Sequence, residues 1–135
     1  MAGFNEVRLV LADACRSAVG DVNVFYYLPK RVPAPAVVIR TVKPTGDYLT
    51  TWGGGYAEWM FEVLVVVGRV SDESAQNMLG DMISPDSSLI TALNDVEFPG
   101  GPGCGHAHVR KCDIADIRIG ATRYACARLT VLVRA

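Results

Sequence analysis

The residues whose types could bind a metal ion lie near the C-terminus and comprise Cys104, His106, His108 and Cys112. On one extended strand these positions point to the same side, so thiolate and imidazole ligands would converge as zinc requires. Residues 108 and 112 are nevertheless about 13 Å apart at strand rise, too far for one tetrahedral site unless a bulge intervenes. We therefore expect no metal and no cofactor. The preferred interpretation is that the two histidines are ordinary exposed residues. The alternative is a metal site with Cys104, His106 and His108 as candidate ligands.

A second candidate for chemistry is the pair Glu58 and Glu62, which lies on one face of a predicted strand. Two residues at i and i+4 on a strand are about 13 Å apart, beyond the carboxylate separations that glycosidases use. The sequence also contains no G-x-S-x-G nucleophile elbow, no P-loop and no G-x-G-x-x-G motif that opens a helix after a strand. We expect the protein not to be an enzyme and assign it no catalytic residue.

Hydrophobic periodicity predicts the elements that must position these side chains. Apolar residues at helical spacing predict one amphipathic helix near the N-terminus and two more in the middle of the chain. Runs rich in valine predict strands, of which the last two form a hairpin with a turn at Gly120-Ala121. The predicted helices cover residues 5–19, 71–83 and 84–94, and the predicted strands cover residues 22–27, 36–43, 57–69, 106–119 and 122–134.

These elements predict the α+β class, with a mixed or antiparallel sheet of about four to five strands packed by about two to three helices. The length of 135 residues is near the common size of one domain, so we expect a single domain over residues 1–135. The strand over 57–69 is apolar on both faces in its second half, which is typical of a central strand. Helices would cover one face, and a neighbouring subunit is one candidate for the second cover.

Residues 44–56 are predicted to form a loop, because Pro44 bounds them and glycines are frequent among them. The same segment holds Tyr48, Trp52 and Tyr56. Aromatic side chains on a glycine-rich loop are costly to leave in water, and aromatic residues are enriched at interface hot spots. The three residues are therefore candidates for binding a partner, and the alternative is that they fold back onto their own sheet.

The charges are distributed unevenly along a chain whose net charge is only −1. Residues 1–44 carry six basic and three acidic groups, residues 45–97 one basic and nine acidic, and residues 98–135 six basic and two acidic. This balance lacks the basic footprint of a nucleic-acid binder. It is compatible with copies that meet head to tail, or with ordinary solvated charge. The candidate self-association charges are Arg40, Arg69, Arg128, Glu58 and Glu62.

Four segments carry a resemblance to a known family: Tyr26-Tyr27-Leu28-Pro29, the proline- and valine-rich residues 33–39, Val65 to Gln76, and Ser88 to Leu93. In order and spacing, over about residues 4–134, they resemble the tail terminator proteins of long-tailed, siphovirus-type bacteriophages, particularly those that infect actinobacteria. The resemblance implies a structural protein of the virion. None of the segments is a catalytic fingerprint.

The resemblance implies a homo-oligomeric ring, usually a hexamer, that caps the head-proximal end of the tail tube. Such a ring stops tube polymerisation and offers a new interface to the head connector. The implied partners are other copies of the chain, the tail tube protein and a head connector or stopper protein, while DNA would pass through the lumen without sequence-specific recognition. The expected location is the head–tail junction of the virion, after assembly in the host cytoplasm. Another neck or head–tail joining protein is the alternative, and a small metal-dependent enzyme is a further one.

Overall fold

The structure, a computed structural model, describes residues 4–20, 22–27, 35–51, 54–69, 73–96, 106–119 and 121–134. Within these ranges the chain forms three helices and five strands. The helices are α1 (Phe4–Val19), α2 (Glu73–Ile83) and α3 (Ser88–Asn94). The strands are β1 (Asn23–Phe25), β2 (Ala36–Thr51), β3 (Gly54–Arg69), β4 (His106–Ile119) and β5 (Thr122–Arg134). None of the described helices is long and apolar enough to cross a membrane.

The five strands form one sheet in the order β1-β2-β3-β5-β4. β1 pairs with β2 in parallel, whereas β2 with β3, β3 with β5, and β5 with β4 all pair antiparallel. The sheet is therefore mixed, and together with the helices it confirms the predicted α+β class. β3 is the central strand, as its apolar sequence predicts, because a strand with a neighbour on each side is shielded from water along both edges.

The three helices contribute to one hydrophobic core with one face of the sheet. α1 buries Val7, Leu11, Ala12 and Cys15, which recur at the spacing of a single helical face. Alternate residues of β3 and β5 meet this helix layer, because successive side chains of a strand point to opposite faces. The sheet residues of this core include Phe61, Val63, Val65, Ala127, Leu129, Val131 and Val133. In β5 the core residues alternate along the strand and therefore share one face.

The opposite face of the sheet has a smaller apolar cluster of Ala36, Val38, Leu64, Val66 and Cys126. Leu64 and Val66 are 0% exposed within the single chain. The hypothesis that a neighbouring subunit supplies the second cover of β3 is therefore wrong for these two residues, because burying them needs no further protein.

The helices α2 and α3 are separated by a turn that serine side chains stabilise. Ser84 donates a hydrogen bond from Oγ to the carbonyl oxygen of Gly80 (2.9 Å). Ser87 is the N-cap of α3, and its Oγ accepts a hydrogen bond from the backbone N–H of Ile90 (3.3 Å). The helix predicted over residues 84–94 is confirmed as α3. It begins at Ser88 and not at Ser84, because Ser87 provides the cap.

The prediction of a loop over residues 44–56 is wrong, since β2 and β3 continue into this segment as an antiparallel hairpin. Thr50 pairs with Gly55 and Thr51 with Gly54. The register shifts between Thr41 and Gly46, and this irregular stretch accommodates Pro44, a residue that regular ladders exclude. Glycine and proline here mark irregular or closely paired positions in strands rather than the end of the sheet. Trp52 lies outside the described residues.

Candidate functional site

The candidate metal ligands do not converge in the described part of the chain. The register of β4 against β5 shifts between Val109 and Lys111, which leaves Arg110 as the extra residue of a β-bulge. His108 pairs with Leu132, whereas Cys112 pairs with Leu129 of the helix-side core. Because paired residues point to the same face and Leu129 and Leu132 differ by an odd number, His108 and Cys112 lie on opposite faces. The expectation that they share one side is wrong.

The remaining candidate ligands are not brought into a cluster by the described residues either. His106 pairs by its backbone with Arg134, and Cys104 lies outside the described ranges. Among the residues that the structure describes, no group of three His, Cys, Asp or Glu side chains is arranged to hold a metal ion. At the bulge, Asn94 Oδ1 accepts a hydrogen bond from the backbone N–H of Val109 (2.9 Å), so α3 holds this stretch of β4 in place.

The two carboxylates considered for catalysis each form a cross-strand ion pair inside the chain. Glu62 lies opposite Arg40, whose Nη2 donates to Glu62 Oε1 at 2.7 Å. Glu58 lies opposite Arg134, whose Nε donates to Glu58 Oε2 at 2.8 Å. Three of the predicted self-association charges are thus engaged within one chain, which lowers the charge that they offer to a second copy.

Arg128 is exposed on the same sheet face, opposite Leu64 on β3 and Asp113 on β4. Together with Arg40 it borders a shallow depression of about 230 Å³ whose floor includes Leu64 and Cys126. Asp116 also lines the depression, and Arg40 is already paired with Glu62, so little positive charge is left there for a second copy. Arg69 pairs by its backbone with Tyr124, and its side chain lies outside what the structure describes.

The two tyrosines predicted to bind a partner lie on a two-stranded extension of the sheet. β5 reaches β3 as far as Glu58, and β1 pairs with β2 only at Ala36–Val38. Beyond these points, within the described residues, positions 48–51 and 54–57 pair only with each other. We call this segment the hairpin arm. Four residues per strand project about 13 Å beyond the rest of the sheet.

The backbone register places the two tyrosines on different strands, in successive pairs of the hairpin arm, and successive pairs belong to opposite faces of the ladder. Tyr48 pairs with Ala57, and Tyr56 pairs with Leu49. Trp52, the third predicted residue, follows the last residue of β2 in the sequence and lies outside the described ranges. The loop assigned to this segment is wrong, and the binding of a partner by Tyr48, Trp52 and Tyr56 stays a prediction.

The base of the hairpin arm is supported by an aromatic cluster that the sequence analysis did not identify. Phe4 stacks on Phe61 with ring centroids 5.3 Å apart and meets Trp59 edge-on at 5.5 Å. The guanidinium of Arg8 lies 5.5 Å from the ring centre of Phe4 and 5.2 Å from that of Tyr26. Alternation of Trp59 and Phe61 along β3 was the available signal, because both must face the helices.

The described cysteines are free thiols with no sign of nucleophilic activation. Burial raises the pKa of Cys15 to about 12 and that of Cys126 to about 11. The pKa of the exposed Cys112 is also raised, by partial burial and then by the carboxylate of Asp113. Since the thiolate is the reactive form, none of these three residues is suited to covalent catalysis at neutral pH.

Comparisons with known proteins leave the chain without an assigned family. No family model matches the sequence, and no curated protein matches it.

Proposed function

We propose that this chain is a structural protein of a bacteriophage virion, a tail terminator whose copies form a ring on the head-proximal end of the tail tube. The ring stops tube polymerisation and presents a new surface to the head connector. The observation that carries this proposal is the hairpin arm, which projects from a well-packed α+β body and holds Tyr48 and Tyr56 at adjacent register positions. A protein that must contact a separate assembly benefits from such an extension.

The chemistry of the arm supports docking rather than catalysis. Tyrosine and tryptophan provide large contact areas with a polar group at one end, and they are common among the residues that dominate binding energy. The aromatic cluster of Phe4, Trp59 and Phe61 holds the base of the arm against α1. A fixed base reduces the entropy that docking would otherwise cost.

The distribution of charge supports self-association of the head-to-tail type. The described segment 73–96 has four acidic residues and no basic one, a net charge of −4. The segment 106–134 has six basic and two acidic residues, a net charge of +4. Two different and complementary surfaces on one chain form heterologous contacts, which close into a ring when the rotation between neighbours permits.

The test is the solution mass of the purified protein by light scattering, with and without tail tube protein, together with the length distribution of tubes polymerised in its presence. A discrete hexamer, or a monomer that becomes one on tube protein, with tubes that stop growing, is the expected result. A strict monomer that ignores tube protein and binds a portal-side ring would instead identify another neck protein. Stoichiometric zinc in the purified protein would favour a metal-dependent enzyme.

A further inference from the structure

Ile114 is exposed on the edge strand β4 at 65% of its surface, although it pairs with the fully buried Ala127. It lies on the helix side of the sheet, because Ala127 belongs to the core that the helices contact. The helices therefore do not cover this part of β4. A single exposed isoleucine is ordinary on a protein surface, so its meaning depends on what surrounds it.

Two arginines lie about 13 Å further along the hairpin than Ile114, in an arrangement that favours an acidic partner. Arg118 and Arg123 occupy directly opposite positions on β4 and β5. Like charges at such positions repel each other. Asp116 forms an ion pair with Arg123 at 3.3 Å, and Arg118 takes part in no ion pair among the described residues. The distal β4–β5 hairpin thus combines the exposed Ile114 with an excess of positive charge.

A groove on the helix layer has the complementary properties. It lies between the C-terminal end of α1, the helix α2 and the start of α3, with a volume of about 320 Å³. This volume exceeds the roughly 150 Å³ that accepts a benzene-sized group, so a branched side chain fits. Methionines adapt readily to an inserted side chain. The apolar lining of the groove includes Val19, Val22, Met78, Met82 and Leu89. Asp81 lies at its border.

We infer that Ile114 of one copy inserts into this groove of the next copy, with Arg118 and Arg123 facing the acidic residues beside it. These are Asp81, at the border of the groove, and Asp86, which precedes the lining residue Ser87 in the sequence. The occupant is a second copy of this chain, because the hairpin and the helix layer carry net charges of +4 and −4 over 106–134 and 73–96. The inference depends on the ring of the proposed function and names the surfaces that meet in it. The contact is heterologous, so each copy uses its hairpin on one neighbour and its groove on the other.

Side-chain insertion accounts for this contact better than the addition of a strand to β4. The bulge at Arg110 distorts the outer edge of β4, and charged residues occupy positions 110, 111, 113, 116 and 118. Bulges and charges on an edge strand are the features that prevent pairing with another strand. Among the described side chains of this edge, Ile114 is the large hydrophobic one that is exposed.

The first experiment measures self-association of Ile114→Asp by sedimentation velocity, with Leu9→Asp as the matched control. Leu9 is also an exposed large hydrophobic residue, at 45%, but lies on α1. We expect Ile114→Asp to raise the dissociation constant of each contact at least about tenfold, because it removes apolar burial and places a carboxylate near Asp81. Circular dichroism checks that both variants fold. Wild-type assembly by a folded Ile114→Asp variant would overturn the inference.

A charge exchange tests the same contact without changing Ile114. Arg118→Glu and Asp81→Lys should each weaken assembly, and the two variants mixed with each other should associate, because one contact then regains opposite charges. No recovery on mixing, with both single variants assembling like the wild type, would refute the pairing. A wild-type protein that never self-associates, even with tube protein, would instead refute the proposed function itself.

Covalent cross-linking locates the contact directly. In a Cys104→Ser background, Ser88→Cys places a thiol on the groove, which Ser88 lines, and the native Cys112 is exposed two positions from Ile114. A short bis-maleimide at pH 8 should produce a ladder of linked subunits on a denaturing gel. The control is Asp13→Cys, an exposed position on α1. An equal ladder from the control, or none from Ser88→Cys, would contradict the assignment.

Discussion

At the scale of single residues, the ion pair of Arg40 and Glu62 makes the sheet face opposite the helices compatible with water. The Glu62 side chain is only 12% exposed and that of Arg40 32% exposed, so both have lost much of their hydration. Their separation of 2.7 Å replaces part of that hydration by a charge-assisted hydrogen bond. The pair lies beside the apolar cluster of Leu64 and Cys126 and marks where this face changes from buried to polar.

Removing one partner of this pair should destabilise the fold. We expect Arg40→Met to lower the free energy of unfolding by about 1–2 kcal/mol, between the values for exposed and buried pairs, because Glu62 would stay largely buried without a counter-charge. Urea unfolding of Arg40→Met, Glu62→Gln and the double variant measures the coupling. A double variant as unstable as the sum of the singles would show that the two side chains do not interact.

The buried thiol of Cys15 predicts a loss of stability in alkali. Its pKa is about 12 in the folded chain against 9.0 for the free group, so the folded state holds its proton more tightly. The stabilisation is complete below pH 9 and is lost as the pH rises towards 12, by at most about 1.4 kcal/mol per pH unit. Unfolding of the wild type and Cys15→Ala at pH 8 to 11 should give converging stabilities. Parallel curves would contradict the prediction, and Cys112→Ala, an exposed thiol, is the control.

At the scale of elements, the hairpin arm and the bulge of β4 show how irregular positions decide where a strand ends and which residues share a face. The register shift between Thr41 and Gly46 lets β2 pass Pro44 and continue to Thr51. The shift between Val109 and Lys111 places His108 and Cys112 on opposite faces. In both places extra residues are inserted into one strand. Each later residue of that strand therefore points to the opposite face of the sheet from the one it would otherwise face.

The element that we expect to contact the tail tube is the hairpin arm. If Trp52 contacts the tube and not its own sheet, Trp52→Ala should leave the melting temperature of the protein unchanged within about 2 °C and should weaken tube capping at least about tenfold. Tube length by electron microscopy measures capping. Trp59→Ala is the contrasting variant, because Trp59 packs on Phe4 and its loss should lower stability. A Trp52→Ala protein that unfolds would support packing of this residue on its own sheet.

At the scale of the whole molecule, opposite charges are separated into the helix layer and the β4–β5 hairpin. Residues 73–96 are acidic and residues 106–134 are basic on balance. Attraction between unlike surfaces of separate copies acts over distances set by salt, about 10 Å at 0.1 M. The sign pattern therefore favours ordered head-to-tail contacts and disfavours contacts between like faces.

Self-association should weaken as salt increases. Raising sodium chloride from 0.05 to 0.5 M should increase the dissociation constant several-fold, because exposed charges are screened. Asp81→Asn should give a shallower salt dependence, and Asp13→Asn, which removes a charge already paired with Arg16, should not. Light scattering over a concentration series measures both. An association that is indifferent to salt would leave hydrophobic burial as its only driving force.

The fold was largely predictable from the sequence, and the surfaces were less so. Periodic burial in α1, β3 and β5 follows from the alternation and helical spacing of their apolar residues, which short-range rules capture. The extent of β2 was not predictable in this way. A local sequence that contains Pro44 and Gly46 looks the same in a strand with an irregular register as it does in a loop. Pairing of Arg40 with Glu62 and the exposure of Ile114 depend on which strands become neighbours, a property that no local pattern contains.

The position of β5 in the sheet has a consequence for folding during synthesis. Among the described elements β5 comes last in the chain, yet it lies between β3 and β4, so β3 has no second neighbour until residues 122–134 are made. A nascent chain that ends before β5 exposes one edge of β3, a strand rich in valine. Such an unpaired edge is a template for aggregation. Joining β3 to β5 also closes a long stretch of chain, which slows folding relative to the two hairpins. Chaperone binding during translation is therefore expected to matter most while this last strand is still missing.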